Sequence, residues 1–162
     1  MNVSRLILAT KILVVAGLLG CAPIPIEGRY SYMSTTDFST LRTFSFAELD
    51  DDTFSTPEST KHFRAAMVSG LTAKGFTENS ENPDFRIFAA PVSNYIEVYA
   101  LAGKLEIPKA MLRVSFFTNP SEVNIYEGAA YAYYEDSWSQ DEKNSTVDEA
   151  VRVVLAKFPP GK

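Results

Sequence analysis

The sequence predicts an α+β fold: one mostly antiparallel sheet with two amphipathic helices packed on one of its faces. Three observations lead there. Several short segments alternate apolar and polar residues and are rich in β-branched and aromatic side chains. Two of them flank a five-residue connection, 118–122, as a hairpin does. Two further stretches carry helical periodicity between recognisable start and stop signals. Runs of strands with two helices, rather than strict β-α alternation, indicate helices segregated to one side of a sheet.

Taken in order, 29–33 alternates and is a candidate strand, and 41–46 is a second, with Leu41, Thr43 and Ser45 opposite Arg42, Phe44 and Phe46. An acidic loop spans 48–55. Thr56-Pro57 then signals a helix, threonine as N-cap and proline in the first turn. Phe63, Met67, Gly70 and Leu71 fall on one helical face, and Gly75 is the expected left-handed stop. Residues 84–88 and 95–101 read as two strands, 105–107 as a short one ending at Pro108, and 111–117 with 123–134 as the hairpin. Residues 134–144 read as a polar loop. A second helix is expected from Thr146, with Glu149 in the capping-box position and Val147, Val151, Val154, Leu155 and Phe158 inward, until Pro159-Pro160 ends it.

Ahead of the domain, Arg5 and Lys11 with no acids precede an apolar run from Ile12 to Gly20, the charge order of a secretory signal. The run is far short of the ~20 residues a spanning helix needs. It ends in Leu18-Leu19-Gly20-Cys21, and Cys21 is the only cysteine. This stretch resembles the lipobox of bacterial lipoprotein precursors, though Leu19 is bulkier than usual there. The resemblance implies cleavage between Gly20 and Cys21 and lipidation of Cys21 with diacylglycerol and an N-acyl chain such as palmitate. Each buried methylene contributes about 0.8 kcal/mol, so two or three chains fix the protein to the membrane. Ala22 follows where many inner-membrane lipoproteins carry Asp, so the expected location is the outer membrane, facing the periplasm. The chain thus divides into a signal peptide (1–20), lipidated cysteine and tether (21–28, with Pro23 and Pro25 disfavouring helix), and one globular domain (29–162).

The 15 Lys and Arg against 20 Asp and Glu leave a net charge of −5; without Arg5 and Lys11, 13 against 20 leave −7. An acidic domain is repelled by nucleic acid and by anionic headgroups, so nucleic acid is not an expected partner and membrane affinity must come from lipid. With Cys21 lipidated, no thiol remains for disulfide, thiolate-metal or cysteine-nucleophile chemistry.

Short motifs spread over 30–160 resemble a family of bacterial lipoproteins, domain of unknown function 4136. They are Tyr30-Ser31, Thr36-Asp37-Phe38-Ser39, Leu41-Arg42-Thr43-Phe44-Ser45-Phe46, Leu71-Thr72-Ala73-Lys74-Gly75-Phe76, Asn82-Pro83-Asp84-Phe85, and the helix end Val154-Leu155-Ala156-Lys157-Phe158-Pro159-Pro160. The stretch Leu112-Arg113-Val114-Ser115-Phe116 to Ile125-Tyr126-Glu127-Gly128-Ala129 looks like the family's last hairpin, but Tyr126-Glu127-Gly128 stands where many members have Trp-Arg-Gly. The usual acidic pair before that hairpin's turn is also missing. The resemblance implies fold and location and carries no catalytic residues.

Candidate chemistry is sparse. His62, the only histidine, reads as a surface residue near Glu58; a serine-histidine device would need a carboxylate to orient it and a facing serine. Glu48, Asp50, Asp51 and Asp52 lack the spacing of a calcium loop and read as a solvated acidic segment, so no metal is expected. No glycine-rich phosphate loop is present, and no cofactor is expected. The tyrosines Tyr95, Tyr99, Tyr126, Tyr131, Tyr133 and Tyr134 with Trp138 offer a possible exposed aromatic surface, of which Tyr126, Tyr131, Tyr133, Tyr134 and Trp138 are the candidates. The expected function is a non-catalytic envelope binding or scaffolding domain, its partner an envelope protein or peptidoglycan. The alternative is a small-ligand carrier or enzyme with a pocket between sheet and helices, lined by Tyr99 or Tyr131 and a carboxylate such as Glu97 or Glu127.

Overall fold

The computed structural model describes residues 26–49, 54, 56–100, 103–133 and 137–159. The sheet has six strands in the order β1-β6-β5-β4-β2-β3: β1 (Glu27–Tyr32), β2 (Thr43–Phe46), β3 (Thr77–Glu78), β4 (Phe85–Ala100), β5 (Gly103–Thr118) and β6 (Asn124–Tyr133). Pairing is antiparallel from β1 through β4 and parallel where β2 meets β4 and β3. Two helices, α1 (Pro57–Thr72) and α2 (Gln140–Leu155), cover one face. The fold is α+β, as the patterning predicts.

Helix α1 starts and stops where the sequence says. The Thr56 hydroxyl accepts from the Ser59 N–H at 3.1 Å, and Pro57 occupies the first turn. At the other end Gly75 has φ 89°, and the N–H groups of Phe76 and Gly75 donate to the carbonyls of Leu71 and Thr72. That is a Schellman closure, with Phe76 folding back into the core beside Leu71.

Helix α2 begins about two turns before the expected Thr146. Ser139 is the N-cap: its hydroxyl accepts from the Glu142 N–H at 3.3 Å, while the Glu142 carboxylate accepts from the Ser139 N–H at 2.8 Å. The Glu142 carboxyl is held below its usual range by the Ser139 hydroxyl and then by the Ser139 backbone. Both Ser-x-x-Glu and Thr-x-x-Glu fit the capping pattern, but the first helical turns, Gln140 to Thr146, contain no apolar residue and so leave no periodic trace. Thr146 sits inside the helix, its hydroxyl donating to the Glu142 carbonyl at 2.9 Å. Glu149 is free of capping duty and holds Arg152.

The strands differ from expectation in length. Residues 84–88 and 95–101 are not separate: β4 runs unbroken through Pro91, and β5 likewise joins 105–107 to 111–117 through Pro108. Both prolines fall where their strand has lost a neighbour. β2 pairs with β4 only as far as Ile87, and β6 with β5 only from Lys109. A missing N–H is tolerated on such an edge. β1 begins at Glu27, inside the stretch read as tether.

The core lies between sheet and helices. Phe63, Met67 and Leu71 of α1, Val151, Val154 and Leu155 of α2, and Phe44, Phe85, Ile87, Val114, Phe116 and Tyr126 from the strands are all buried. Phe158, just past α2, is their hub. Its ring centroid lies 4.5 Å from that of Phe116, 5.0 Å from Tyr126, 5.4 Å from Phe76, 5.7 Å from Phe85 and 5.9 Å from Phe38.

Candidate functional site

The alternation that buries one face of each strand fixes what the other face presents. Between the buried Phe85 and Ile87 stands exposed Arg86; between Leu112 and Val114 stands exposed Arg113. Across the sheet Arg113 pairs in register with Ala90 and Ala129, and Ala129 with Arg29. The next row is Phe88, Ser115, Glu127 and Ser31. Neither helix covers this side: Gly128 of β6 lies against Val154, which places Glu127, Ala129 and Tyr131 on the face away from α2. The open face therefore carries three guanidiniums, Arg29, Arg86 and Arg113, beside the carboxylates of Glu27 and Glu127, on a chain whose overall charge is negative.

Its contacts are mixed polar and aromatic. The Arg29 guanidinium lies 5.7 Å from the Tyr131 ring centroid, within cation–π range. Phe88, 47% exposed, meets Phe117 edge-on at 5.0 Å. The Ser115 hydroxyl donates to Glu127 at 3.5 Å, a long contact. Arg86 and Arg113 each alternate with core residues along their strands, whereas Arg29 lies on the edge strand β1 between exposed Gly28 and Tyr30.

Of the expected aromatic surface, Tyr131 is on the open face. Trp138 is half-buried just before the α2 cap. The Tyr133 backbone ends β6. Tyr126 is a correction: it is 1% exposed, on the helix face, and its hydroxyl donates to the Val154 carbonyl at 2.6 Å. Burial, and secondarily Tyr30, pushes its phenol above the usual range. Tyr126 therefore ties β6 to the end of α2 rather than facing solvent. Gly20, Cys21, Tyr134 and Asp50 to Asp52 lie outside the described residues; Glu48 is exposed.

His62 does acquire a carboxylate. Its Nε2 is 2.9 Å from Asp148 Oδ1, joining α1 to α2 at the surface. A shallow concavity of about 390 Å³ lies in the groove between these helices, lined by Ala66, Ser69, Gly70, Lys74, Asp148 and Arg152 among others. It is on the outer side of the helix pair. Between sheet and helices, where the carrier reading needs a cavity, the described side chains form a continuous aromatic and aliphatic cluster. Among the described residues no group of three or more His, Cys, Asp or Glu side chains is placed to hold a metal, and no helix is long and apolar enough to cross a membrane.

The motifs that carry the family resemblance turn out to close turns and fill the core. The Asp84 carboxylate accepts from the N–H groups of Arg42 at 2.7 Å and Thr43 at 2.8 Å and from the Thr43 hydroxyl at 3.1 Å, clamping β2 to the start of β4. Desolvation pushes this carboxyl up, but those three donors and the Arg42 charge outweigh it and leave it below the usual range. Asp37 accepts from the Ser39 N–H and hydroxyl, which turns the chain so that Phe38 enters the core.

The fold and surface define a class: a small α+β domain with a mixed sheet, helices on one face and an arginine-bearing open face on the other. Over residues 29–160 the sequence matches the model of domain of unknown function (DUF4136), and the chain belongs to that family. The fold is similar to that of a PDZ domain protein from Parabacteroides distasonis, with a TM-score of 0.62 and 14% identity over 85% of this chain; this chain spans only 37% of that one. It is also similar to the subunit of the PelC dodecamer from Paraburkholderia phytofirmans, with a TM-score of 0.54 and 10% identity over 81% of this chain and 95% of that one. At such identities the likeness concerns the fold alone. No curated protein matches the sequence.

Proposed function

We propose that this protein is a lipid-anchored component of the cell envelope, held at the outer membrane through Cys21 and facing the periplasm, where its domain acts by surface contact without catalysis. The observation that carries the reading is the single cysteine, placed directly after Leu18-Leu19-Gly20 and six residues ahead of Glu27, where the edge strand β1 begins. The packed space between sheet and helices supports a binding module over a ligand carrier. The binding surface is the open sheet face, where Arg29, Arg86, Arg113 and Tyr131 offer hydrogen bonding, charge and stacking to an acidic envelope protein or to the carboxylates and sugars of peptidoglycan.

Metabolic palmitate labelling tests the anchor: label enters the wild type and not Cys21→Ser, and label persisting in the variant rules the anchor out. In-cell photocrosslinking tests the surface. A crosslinker at position 113 captures a discrete partner, whereas one at position 61 on α1 does not. Equal capture from both positions, or none from 113, removes the open face from the proposal.

A further inference from the structure

The two edges of the sheet are finished differently. At one the outermost strand is β3, two residues long, and so short an edge offers little to pair with. At the other the outermost strand is β1, six residues long and exposed throughout. It contains no proline and no lysine, residues that commonly guard an edge. Of the five large hydrophobic side chains exposed among the described residues, three stand together here: Tyr30 at 52%, Tyr32 at 49% and Met33 at 40%.

One contact fixes where the β1 backbone groups point. The Met33 N–H donates to the Ile125 carbonyl at 3.0 Å, just before β1's neighbour β6 continues from Tyr126. Backbone groups alternate sides along a strand, so Ser31, Arg29 and Glu27 also turn theirs toward β6. Gly28, Tyr30 and Tyr32 turn their N–H and carbonyl groups outward, where no described strand pairs with them. The chain leaving β1 does not cover them. The Thr36 N–H closes a turn on the Met33 carbonyl, and Phe38 is already in the core against Phe158.

A second β1 laid antiparallel along this edge complements the first. Its register must set Gly28, Tyr30 and Tyr32 against the same three residues, since these carry the outward groups. Centring it on Arg29 opposes two guanidiniums. Centring it on Gly28 or Ser31 runs part of each strand past the end of the other. Centring it on Tyr30 keeps all of β1 paired: Tyr30 faces Tyr30, Gly28 faces Tyr32, Arg29 faces Ser31 and Glu27 faces Met33. No like charges meet. Val153 of α2 fills the space over Gly28, so the Tyr32 ring of the second copy falls beside a glycine and against an aliphatic side chain. Two chains of charge −5 repel on average, but β1 carries one acid and one base, Glu27 and Arg29, and meets itself without net charge.

We propose that β1 is a dimerisation edge, where two copies of this chain join antiparallel across a two-fold axis through Tyr30 into one continuous sheet. Both helix pairs then lie on one side and both open faces on the other, with an Arg29 from each copy flanking the axis. Pairing needs no membrane, so it stands apart from the anchored reading above.

Sedimentation equilibrium tests this on the chain from residue 21 onward carrying Cys21→Ser, in which neither lipid nor thiol can join two copies. One strand pair is a small interface, so the expected dimer is weak, with half-association between about 10 µM and 1 mM. Tyr30→Pro removes an outward N–H and leaves the ladder to β6 whole. The thermal melt therefore stays within a few degrees, while association weakens about tenfold or more. Tyr30→Lys and Tyr30→Glu each place like charges at the two-fold and weaken association about fivefold or more, and an equimolar mixture of the two recovers it. Recovery requires position 30 of one copy to face position 30 of the other. A chain that stays monomeric to about 1 mM overturns the proposal and leaves the edge to a strand of another protein. Association that survives Tyr30→Pro and both charge variants belongs to another surface and also overturns it, as does a mixture no tighter than its components.

Discussion

Phe158 joins three strands, the α1 exit and the 38 loop through one ring, so Phe158→Ala tests the core directly. The ring is 1% exposed and has five aromatic neighbours with centroids between 4.5 and 5.9 Å. Truncating a buried phenylalanine costs about 3–5 kcal/mol through lost transfer energy and the cavity left behind. The upper half of that range is expected here. Planar rings on β4, β5 and β6 are fixed by the sheet and cannot collapse into the void, so little of the cavity is recovered. At roughly 3 °C per kcal/mol for a domain of this size, the melting temperature falls by about 10–15 °C. Urea unfolding followed by circular dichroism gives the free energy, and an unchanged slope shows that the exposed area on unfolding is the same. Phe158→Leu keeps most of the volume and loses the edge-to-face geometry, for about 1–2 kcal/mol. Phe88→Ala is the internal control: it also breaks an edge-on pair, but on the open face, and costs about 1 kcal/mol or less. If Phe158→Ala costs no more than Phe88→Ala, the reasoning that Phe158 organises the core is wrong.

Three further outcomes follow from named contacts. Tyr126→Phe loses the hydroxyl that donates to the Val154 carbonyl and costs about 1–2 kcal/mol at neutral pH. Because burial raises the folded-state phenol above its unfolded value near 10, wild-type stability is complete below about pH 10 and falls as pH rises past it. Urea titrations at pH 8 and pH 11 should show Tyr126→Phe losing less over that interval than the wild type. Asp84→Ala strands the N–H groups of Arg42 and Thr43 and costs about 1.5–3 kcal/mol at pH 7. The Asp84 carboxyl is held low, so its contribution is present above about pH 4 and disappears as pH falls through its folded-state value; the wild-type and Asp84→Ala unfolding curves should converge in acid. Gly128→Ala puts a methyl carbon 2.8 Å from Val154 Cγ1 and 3.0 Å from the Val154 carbonyl oxygen, so α2 must shift and about 1–3 kcal/mol is lost, read by thermal melt.

Much of the fold was legible in the residues. Periodicity and cap chemistry at Thr56, Pro57 and Gly75 set α1, and Val151, Val154, Leu155 and Phe158 point inward as their spacing requires. What was not legible has physical causes. The first turns of α2 are stabilised by a capping box and carry no apolar residue, so hydrophobic pattern alone starts the helix too late. Pro108 reads as a strand end because the sequence does not reveal that β5 lacks a second neighbour there. Alternation along β6 puts Tyr126 and Tyr131 on opposite faces, but parity does not say which face the helices cover. That depended on Gly128, which admits Val154, and on a single hydroxyl-to-carbonyl bond.

The placement of the family's motifs bears on where function resides. Asp37 and Asp84 are spent on backbone N–H groups, Gly75 on a left-handed turn, and Phe38, Phe76, Phe85 and Phe158 on one aromatic cluster. These residues specify a scaffold: their polar groups close turns and clamps, and their rings fill the core. Chemistry that such a scaffold offers to a partner must come from side chains its packing does not consume. On the described open face Arg86 and Arg113 are such side chains, each exposed between two core positions of its own strand, and Arg29 joins them from the edge strand β1. Substituting one of them should leave the melt unchanged within about 0.5 kcal/mol while altering recognition, the separation expected when binding residues are carried by a fold rather than built into it.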